Sequence, residues 1–449
     1  MSSVLLYSAG VIVIFIGLAL SIALHELGHL IPAKKFGVRV KQYMIGFGPT
    51  IFSRQKGETE YGLKALPLGG YISMIGMFPP SPKDAPGTLR DSTTGMFSSL
   101  AEGARSYSAE EIEPGDEGRL FYELPVYKRV IIMMGGPVMN LLIAFVLMSL
   151  LITMHGVSTP TTKVASVSEC VISVQQTQNQ NTESCSASDP KSPAATAGIT
   201  VGDQIVAFNG QPVSTWDDAS AKIRAAAGQQ VDLTVIRNGQ KVHLSVKPML
   251  TARPETDALG MPIKDRHGNY VTQDVGFLGI SPTSENQKKP FIDVFPMLGD
   301  NIVAVGKIIL NLPQRMMDVA RAAFTSEPRD PNGPMSVVGV GRVAGEIAST
   351  DQVSVSDKLA SMIGMIASLN IAFFVFNLVP LLPLDGGHVA GALWEAIRRF
   401  IAKLRGKPDP GPFDTAKMLP LTYVVAALLM AMSVLLIYAD IVKPITLFK

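Results

Sequence analysis

The sequence predicts a polytopic α-helical membrane protein of four transmembrane helices, with an inserted α+β domain and a membrane-associated β-hairpin or small sheet. Three observations carry that prediction. Composition is the first: of 449 residues, 47% are hydrophobic and only 17% charged, with a mean hydropathy of +0.27. A soluble enzyme carries about a quarter charged residues. The second is a set of four apolar runs, each long enough to cross a bilayer as a helix. The third is a polar interval at about 160–285 with the alternation and Asn-Gly turns of a small sheet. A net charge of +2 without a dense Lys/Arg run gives no surface for nucleic acid.

The first run, Met1 to Leu24, contains no charged residue. Its start, Met1-Ser2-Ser3-Val4, lacks the positive charge of a secretory signal, so an uncleaved first span within residues 1–35 is expected. At its inner end stands His25-Glu26-Leu27-Gly28-His29. Histidines four apart on a helix of about 3.6 residues per turn share a face and can reach one metal ion. Glu26 beside them is the candidate general base. Ionisable groups at membrane depth are costly, so the default reading of this cluster is functional. Lys34, Lys35, Arg39 and Lys41 follow and nothing basic precedes. By the positive-inside rule the N-terminus then faces outward and His29 lies near the cytoplasmic end.

Residues from about 36 to 128 form the first cytoplasmic segment. Ile45-Gly46-Phe47-Gly48-Pro49, Tyr61 to Leu66, and Leu68-Gly69-Gly70-Tyr71-Ile72-Ser73-Met74 are short β-forming stretches broken by glycine. They suggest a sheet or re-entrant hairpin against the membrane, with an edge that could take up an unwound substrate by strand addition. A Pro-, Ser- and acid-rich stretch at about 79–120, including Glu110, Glu111, Glu113, Asp116 and Glu117, reads as a mobile insertion. The second span, within 129–155, contains Gly135-Gly136-Pro137 and Asn140. Small residues allow close helix approach, and Asn140 reads as an interhelical hydrogen-bonding group rather than a catalytic one.

In the polar interval, Pro193-Ala194-Ala195-x-Ala197-Gly198-Ile199-x-x-Gly202-Asp203-x-Ile205 precedes Asn209-Gly210, a helix around Trp216 to Ala227, and strands Val231–Ile236 and Lys241–Val246 across Asn238-Gly239. This order resembles a PDZ domain of the circularly permuted bacterial kind. The resemblance implies a groove for an extended peptide or protein tail, with Phe277-Leu278-Gly279-Ile280 as either its carboxylate-binding turn or an ordinary terminal strand. Cys170 and Cys185 make no Cys-x-x-Cys metal signature. They flank a polar insertion and are either a disulfide, permitted outside the cytoplasm, or two free thiols.

Residues 286–355 include the apolar stretch Phe291 to Phe324, but Asp293, Pro296, Asp300, Lys307, Pro313 and Arg315 interrupt it. Amphipathic helices at the outer membrane surface are the expectation. The third span, within 358–395, carries Asn377-x-x-Pro380-x-x-Pro383-Leu384-Asp385-Gly386-Gly387-His388, which cannot stay regularly helical through two prolines. Broken backbone at membrane depth is tolerated where it lines a cavity. Arg398, Arg399, Lys403, Arg405 and Lys407 then mark a cytoplasmic loop at 396–419 before the fourth span at 420–440. With four spans, the inner ends of the first and third lie in one leaflet, which brings Asp385 to the depth of His25 and His29. Two histidines and one carboxylate with a position left for water make a catalytic rather than a structural zinc set. His388, one turn from Asp385, fits a hydrogen-bonding role behind the ligands better than ligation.

Together, His-Glu-Leu-Gly-His, Gly-Pro-Val-Met-Asn, the inserted PDZ-like domain and Asn-x-x-Pro-x-x-Pro-Leu-Asp-Gly-Gly resemble the site-2 protease family over nearly the whole chain. The resemblance implies an intramembrane zinc metalloprotease of regulated intramembrane proteolysis, acting on transmembrane proteins such as anti-sigma factors already trimmed by another protease. It implies His25, His29 and Asp385 as Zn2+ ligands and Glu26 as catalytic base. It also implies substrate contacts at Asn377, Pro380 and the β-segment Gly70, Tyr71, Ile72, Ser73 and Met74. The implied location is the inner or plasma membrane, with both termini and the PDZ-like domain extracytoplasmic and the active site toward the cytoplasmic leaflet. One PDZ-like domain and the acidic insertion depart from the two-domain enterobacterial pattern. Two rival readings are a protease that clears signal-peptide remnants with the same residues, and a non-catalytic scaffold that binds tails.

Overall fold

The computed structural model describes residues 3–79, 105, 112–172, 185–186, 188–256, 263, 270–331 and 333–446. Two compact units emerge: Met1–Thr153 with Pro290–Lys449, and the inserted Met154–Lys289. Four helices of the first unit are long and apolar enough to cross a membrane, at Ser3–Lys35, Val126–His155, Val355–Asn377 and Thr415–Val442. In lipid a spanning backbone must satisfy its own hydrogen bonds, which is why uncharged runs of this length become helices.

Helix α1 (Ser3–Lys35) ends on Lys34 and Lys35, favourably placed at the negative end of the helix dipole. Strands β1 (Val40–Lys56) and β2 (Thr59–Met74) then form one long hairpin rather than separate short strands. It is folded back on itself, so that residues 42–45 pair with 70–73 on one side and with 60–63 on the other. Gly46, at φ +91°, sits at a shift of register where a side chain would meet the Leu66 carbonyl. Segment 70–74 is thereby an edge, with no second strand partner among the described residues.

Of the insertion expected at about 79–120, residues 80–104 and 106–111 lie outside the described residues. Its last part is held in place. The buried Asp116 accepts from Arg39 Nη1 at 2.8 Å and from the Glu113 amide at 2.9 Å, and Arg119 pairs with Glu58 at 2.7 Å. A charge this buried needs such partners, and these contacts tie the segment to Arg39 ahead of β1 and to the turn between β1 and β2. Helix α2 (Val126–Leu150) follows and runs on as one π-helical turn, Leu151–His155.

The inserted unit is an antiparallel sheet with a covering helix. Its strands are β3 (Val157–Val167), β4 (Gln204–Phe208), β5 (Val231–Arg237), β6 (Gln240–Val246), β7 (Met249–Pro254), β8 (Thr272–Phe277) and β9 (Ile280–Gln287). The main sheet runs β9-β3-β4-β5-β6, with Gln211–Pro212 as a short extra strand on β4, and β7 pairs β8 separately. Helix α3 (Trp216–Ala225) is capped by the Thr215 side chain. It contributes Ala219 and Ile223 to a core with Ile205, Leu233, Val235 and Leu278. Leu278 and Gly279 link β8 to β9, and their carbonyls accept from the Ala194 and Ser168 amides. Cys170 and Cys185 are disulfide-bonded across 15 positions, a loop closure worth about 3 kcal/mol.

Back in the helical unit, α4 (Val294–Leu310) and α5 (Leu312–Phe324) are two amphipathic helices. Leu298 of α4 packs among Ala144, Met148, Ala367 and Ile371. Helix α6 (Val337–Ser349) is more than a surface layer. A Cβ on Gly10 of α1 would fall 2.5 Å from the Ala344 carbonyl, and one on Gly345 2.6 Å from the Tyr7 ring. Small residues bring the two helices to backbone contact.

The third span is shorter than the expected 358–395. Helix α7 (Val355–Asn377) stops before Pro380 and Pro383, and a separate helix α8 (Asp385–Leu404) begins at the aspartate. Proline removes an amide donor and clashes with the preceding turn, so the break falls at these prolines, before Asp385. The expected loop at 396–419 is accordingly helical up to Leu404. Gly386 and Gly387 explain how residues 378–382 fold tightly onto the first turn of α8: a Cβ on either would fall 2.5 Å from Val379 O or Leu382 N. Helix α9 (Leu419–Val442) completes the unit.

Within the inserted unit, Arg237 donates to both oxygens of the buried Asp203 at 2.8 and 2.7 Å, and Thr200 N donates at 2.9 Å. Hydrogen bonding from Arg237 holds this carboxyl below the usual carboxylate range. A folded-state pKa lower than the unfolded value of about 4 stabilises fully above that value, and the contribution is lost as pH falls through the folded one. Hydrogen exchange on the full-length protein should therefore show β4 and β5 losing protection factors as pH drops below about 4. Asp203→Asn should lower their opening free energy at neutral pH by about 1.5–3 kcal/mol and flatten the acid dependence. A variant as protected as the native chain would refute this role.

Candidate metal centre

The site is assembled where α1 and α2 touch. Gly28 and Gly135 meet backbone to backbone, with no room for a Cβ on either. Gly136, next along α2, faces the two imidazoles: a Cβ there would lie 2.6 Å from His25 Cε1 and would collide with His29 Nε2. The glycine of His-Glu-Leu-Gly-His and the Gly135-Gly136 pair are thus two halves of one close approach.

Three ligand-type atoms converge. His25 Nε2 and His29 Nε2 are 3.2 Å apart, and each is 3.4 Å from Asp385 Oδ2. That oxygen is buried without a hydrogen-bond donor among the described residues. Ligand atoms at about 2.0–2.1 Å from a tetrahedral ion stand about 3.3–3.4 Å from one another, so the triangle has the edges of a zinc site with one position over. Asp385 is also in the first turn of α8, where the helix dipole favours a carboxylate.

The outer partners set the tautomers. His29 Nδ1 lies 2.8 Å from the Ile132 carbonyl. A carbonyl only accepts, so Nδ1 carries the proton and Nε2 offers its lone pair. The Asn140 amide is 3.0 Å from His25 Nδ1, and its Oδ1 is the end buried without a partner. The two ends of an amide have the same shape, and the orientation with Oδ1 accepting from Nδ1–H leaves the His25 Nε2 lone pair free. Helix packing was the expected task of Asn140; it does bond between helices, and the group it bonds is a candidate ligand, His25. The sequence signal was present, an Asn in an apolar span, but its partner was not.

Around the triangle lies a cavity of about 900 Å³ lined by Glu26, Gly70, Tyr71, Ile72, Met74, Asn377 and His388, among others. Gly70 sits against Glu26, where a Cβ would come within 2.8 Å of the Glu26 side chain. The edge of β2 is thus brought directly to the candidate base. Ser73 and Pro380 are not among the lining residues, and Pro380 is exposed beyond the end of α7. His388 lines the cavity, but no hydrogen bond joins it to Asp385 among the described residues. Two further polar ties went unrecognised in the sequence: buried Asn370 donates to Ser21 Oγ at 2.9 Å, and Tyr43 donates to the Ala23 carbonyl at 2.7 Å. They fix α7 and the hairpin to α1.

The family model for peptidase family M50 matches residues 13–408. The chain belongs to this family. The zinc metalloprotease Rip1 of Mycobacterium tuberculosis is 33% identical over 448 residues, covering 99% of this chain and 100% of that protein. Its counterpart in Mycolicibacterium smegmatis is 30% identical over 458 residues, with coverage of 99% and 100%. The regulator of sigma-W protease RasP of Bacillus subtilis is 24% identical over 464 residues, with coverage of 93% and 94%. As an M50 peptidase the chain is a multi-pass membrane zinc metalloprotease. The geometry accommodates the metal this implies.

Two substitutions test the support of the site. Asn140→Ala should weaken zinc about 10–100-fold in a chelator competition. Gly136→Ala should lower zinc occupancy of the purified protein well below about one per chain, because its methyl group takes the space of the imidazoles. Native affinity in both would show that α2 does not position the ligands.

Proposed function

We propose that the chain cleaves transmembrane segments of single-pass proteins, with His25, His29 and Asp385 holding zinc and Glu26 acting as general base. The observation that carries this reading is the convergence of the three ligand atoms beside Glu26 in a cavity bounded by a free strand edge. Zinc bound there supplies Lewis acidity toward a peptide carbonyl and acidifies water near neutral pH. Glu26 takes the proton from the attacking water and returns it to the leaving amine nitrogen, so one residue serves both halves of the hydrolysis.

A transmembrane helix hides its peptide carbonyls in its own hydrogen bonds. Cleavage therefore requires a few residues to unwind and find substitute partners. The edge Gly70–Met74 offers strand pairing for that stretch, and Asn377 offers a side-chain amide at the opposite wall. Pro380 acts by ending α7 and so opening the wall. The β4–α3 region of the inserted unit is read as PDZ-like, taking extended tails or excluding bulky ectodomains.

For substrates we favour anti-sigma factors shortened by a prior cut, in line with the name of the RasP relative. The active site is placed toward the cytoplasmic leaflet because Lys34, Lys35, Arg39 and Lys41 follow α1 directly. Both termini and the inserted domain are then extracytoplasmic.

Glu26→Gln should retain about one zinc per chain and lose at least about 10²–10⁴-fold in cleavage of a transmembrane reporter. The same variant, expressed in cells, should trap its substrates for identification. Full cleavage by the variant removes Glu26 from the mechanism. Recovery of signal-peptide remnants instead of trimmed single-pass proteins would move the enzyme to that substrate class.

A further inference from the structure

Helix α8 has two apolar faces, and only one is used inside the protein. Gly391, Ala392 and Glu395 are buried against the helical unit. On the far side, Leu393, Trp394, Ile397, Phe400, Ile401 and Leu404 are all exposed, with Phe400 at 63% and Leu404 at 71%. At about 100° per residue these six fall within an arc of about 120° centred opposite the buried face. Lys403 lies along one flank of the stripe, with Arg405 and Lys407 just beyond the helix end, while Arg398 on the other flank donates to the Gly411 carbonyl at 3.3 Å. Among the described residues Lys403, Arg405 and Lys407 pair with no carboxylate, whereas Arg399 is occupied by Glu395 and Asp409. The helix is not among those apolar enough to cross a bilayer. A wide apolar stripe bordered by unpaired cations is the pattern of a helix lying in a lipid–water interface.

The occupant of this face follows from continuity and charge. Helix α8 begins at membrane depth, where Asp385 meets the histidines of a spanning helix, so its exposed side continues the lipid-facing surface of the spans. Cations at the rim, where arginine and lysine reach headgroups, match anionic rather than neutral phospholipid. We infer that the outer face of α8 is a docking surface for an anionic phospholipid leaflet. Its six apolar side chains are seated among the acyl chains, and Lys403, Arg405 and Lys407 gather anionic headgroups.

Trp394 sits in the stripe and is one of only two tryptophans in the chain, the other being Trp216. Full-length Trp216→Phe protein, reconstituted in phosphatidylcholine vesicles, isolates its emission. A minor fraction of the lipid is replaced by brominated phosphatidylglycerol or, at the same mole fraction, brominated phosphatidylcholine. Both bromolipids should quench Trp394, and the anionic one at least about two-fold more strongly. Combining Lys403→Gln, Arg405→Gln and Lys407→Gln should bring that ratio close to one while leaving quenching by brominated phosphatidylcholine intact. Equal quenching by the two lipids in the unsubstituted helix overturns the inference, as does a triple variant that keeps the preference. Unquenched emission at a water-like wavelength would place the stripe in solvent. Unquenched blue emission would mean that a second copy or another protein segment covers it, and either result is equally fatal. Trp216→Tyr provides the same readout if the phenylalanine variant does not fold.

Discussion

The backbone contact between α1 and α2 at Gly28 and Gly135 is the interaction on which the site depends. It sets the helices close enough for His29 to reach the Ile132 carbonyl and for Asn140 to reach His25. Each bond selects a tautomer, and each tautomer turns an Nε2 lone pair toward the same point. A methyl group at the interface would separate the helices by more than a hydrogen bond can span. Small residues here serve a chemical end through packing, because lipid offers no hydrophobic drive for the helices to associate.

Broken backbone supplies the remaining parts. Between Asn377 and Asp385 the chain leaves helical geometry at membrane depth, which is sustainable only beside a cavity or buried in protein. Gly386 and Gly387 bury the turn against α8, while Asn377 faces the cavity. On the opposite wall, residues 42–45 are saturated with partners on both sides, and that leaves 70–74 as the edge. Under the proposed function, an edge unpaired among the described residues stands where a substrate would expose its own pairing groups. Unwinding a helical turn costs several backbone hydrogen bonds, and a strand edge returns bonds of the same kind.

Much of this was legible in the sequence because it is periodic or can be counted. Histidines four apart declare a shared helix face, and four apolar runs declare spans. Counting those spans was enough to bring Asp385 to the depth of His25 and His29, which the structure meets with distances of 3.4 Å. Pairwise packing is not periodic and was not legible. Nothing in Val337–Ser349 distinguishes a surface helix from one lodged against α1 until Gly10 and Ala344 are seen to face each other. The prolines announced a break at 380–383, before Asp385, but not that a separate helix would begin on the aspartate itself. The double pairing of residues 42–45 was equally hidden, since alternation reports which face a residue takes and not how many neighbours a strand has.

One buried ion pair bears on why Asp385 stays in register with the histidines. Ten residues along α8, Glu395 is fully buried and accepts from Arg129 of α2 at 2.5 Å, from Arg399 at 3.1 Å and from the Phe413 amide at 2.7 Å. Taking such charges out of water costs about as much as their attraction returns. The arrangement is therefore better understood as specifying position than as adding stability. A slip of α8 along α2 by one residue, about 1.5 Å, would pull Glu395 from the buried Arg129 of α2 and carry Asp385 away from the imidazoles. An apolar contact at the same place would tolerate that slip, because dispersion contacts re-form at neighbouring registers. The pair makes the correct register the only one without an uncompensated buried charge. A candidate metal site with two residues on α1, a third on α8 and its supports on α2 needs that discrimination.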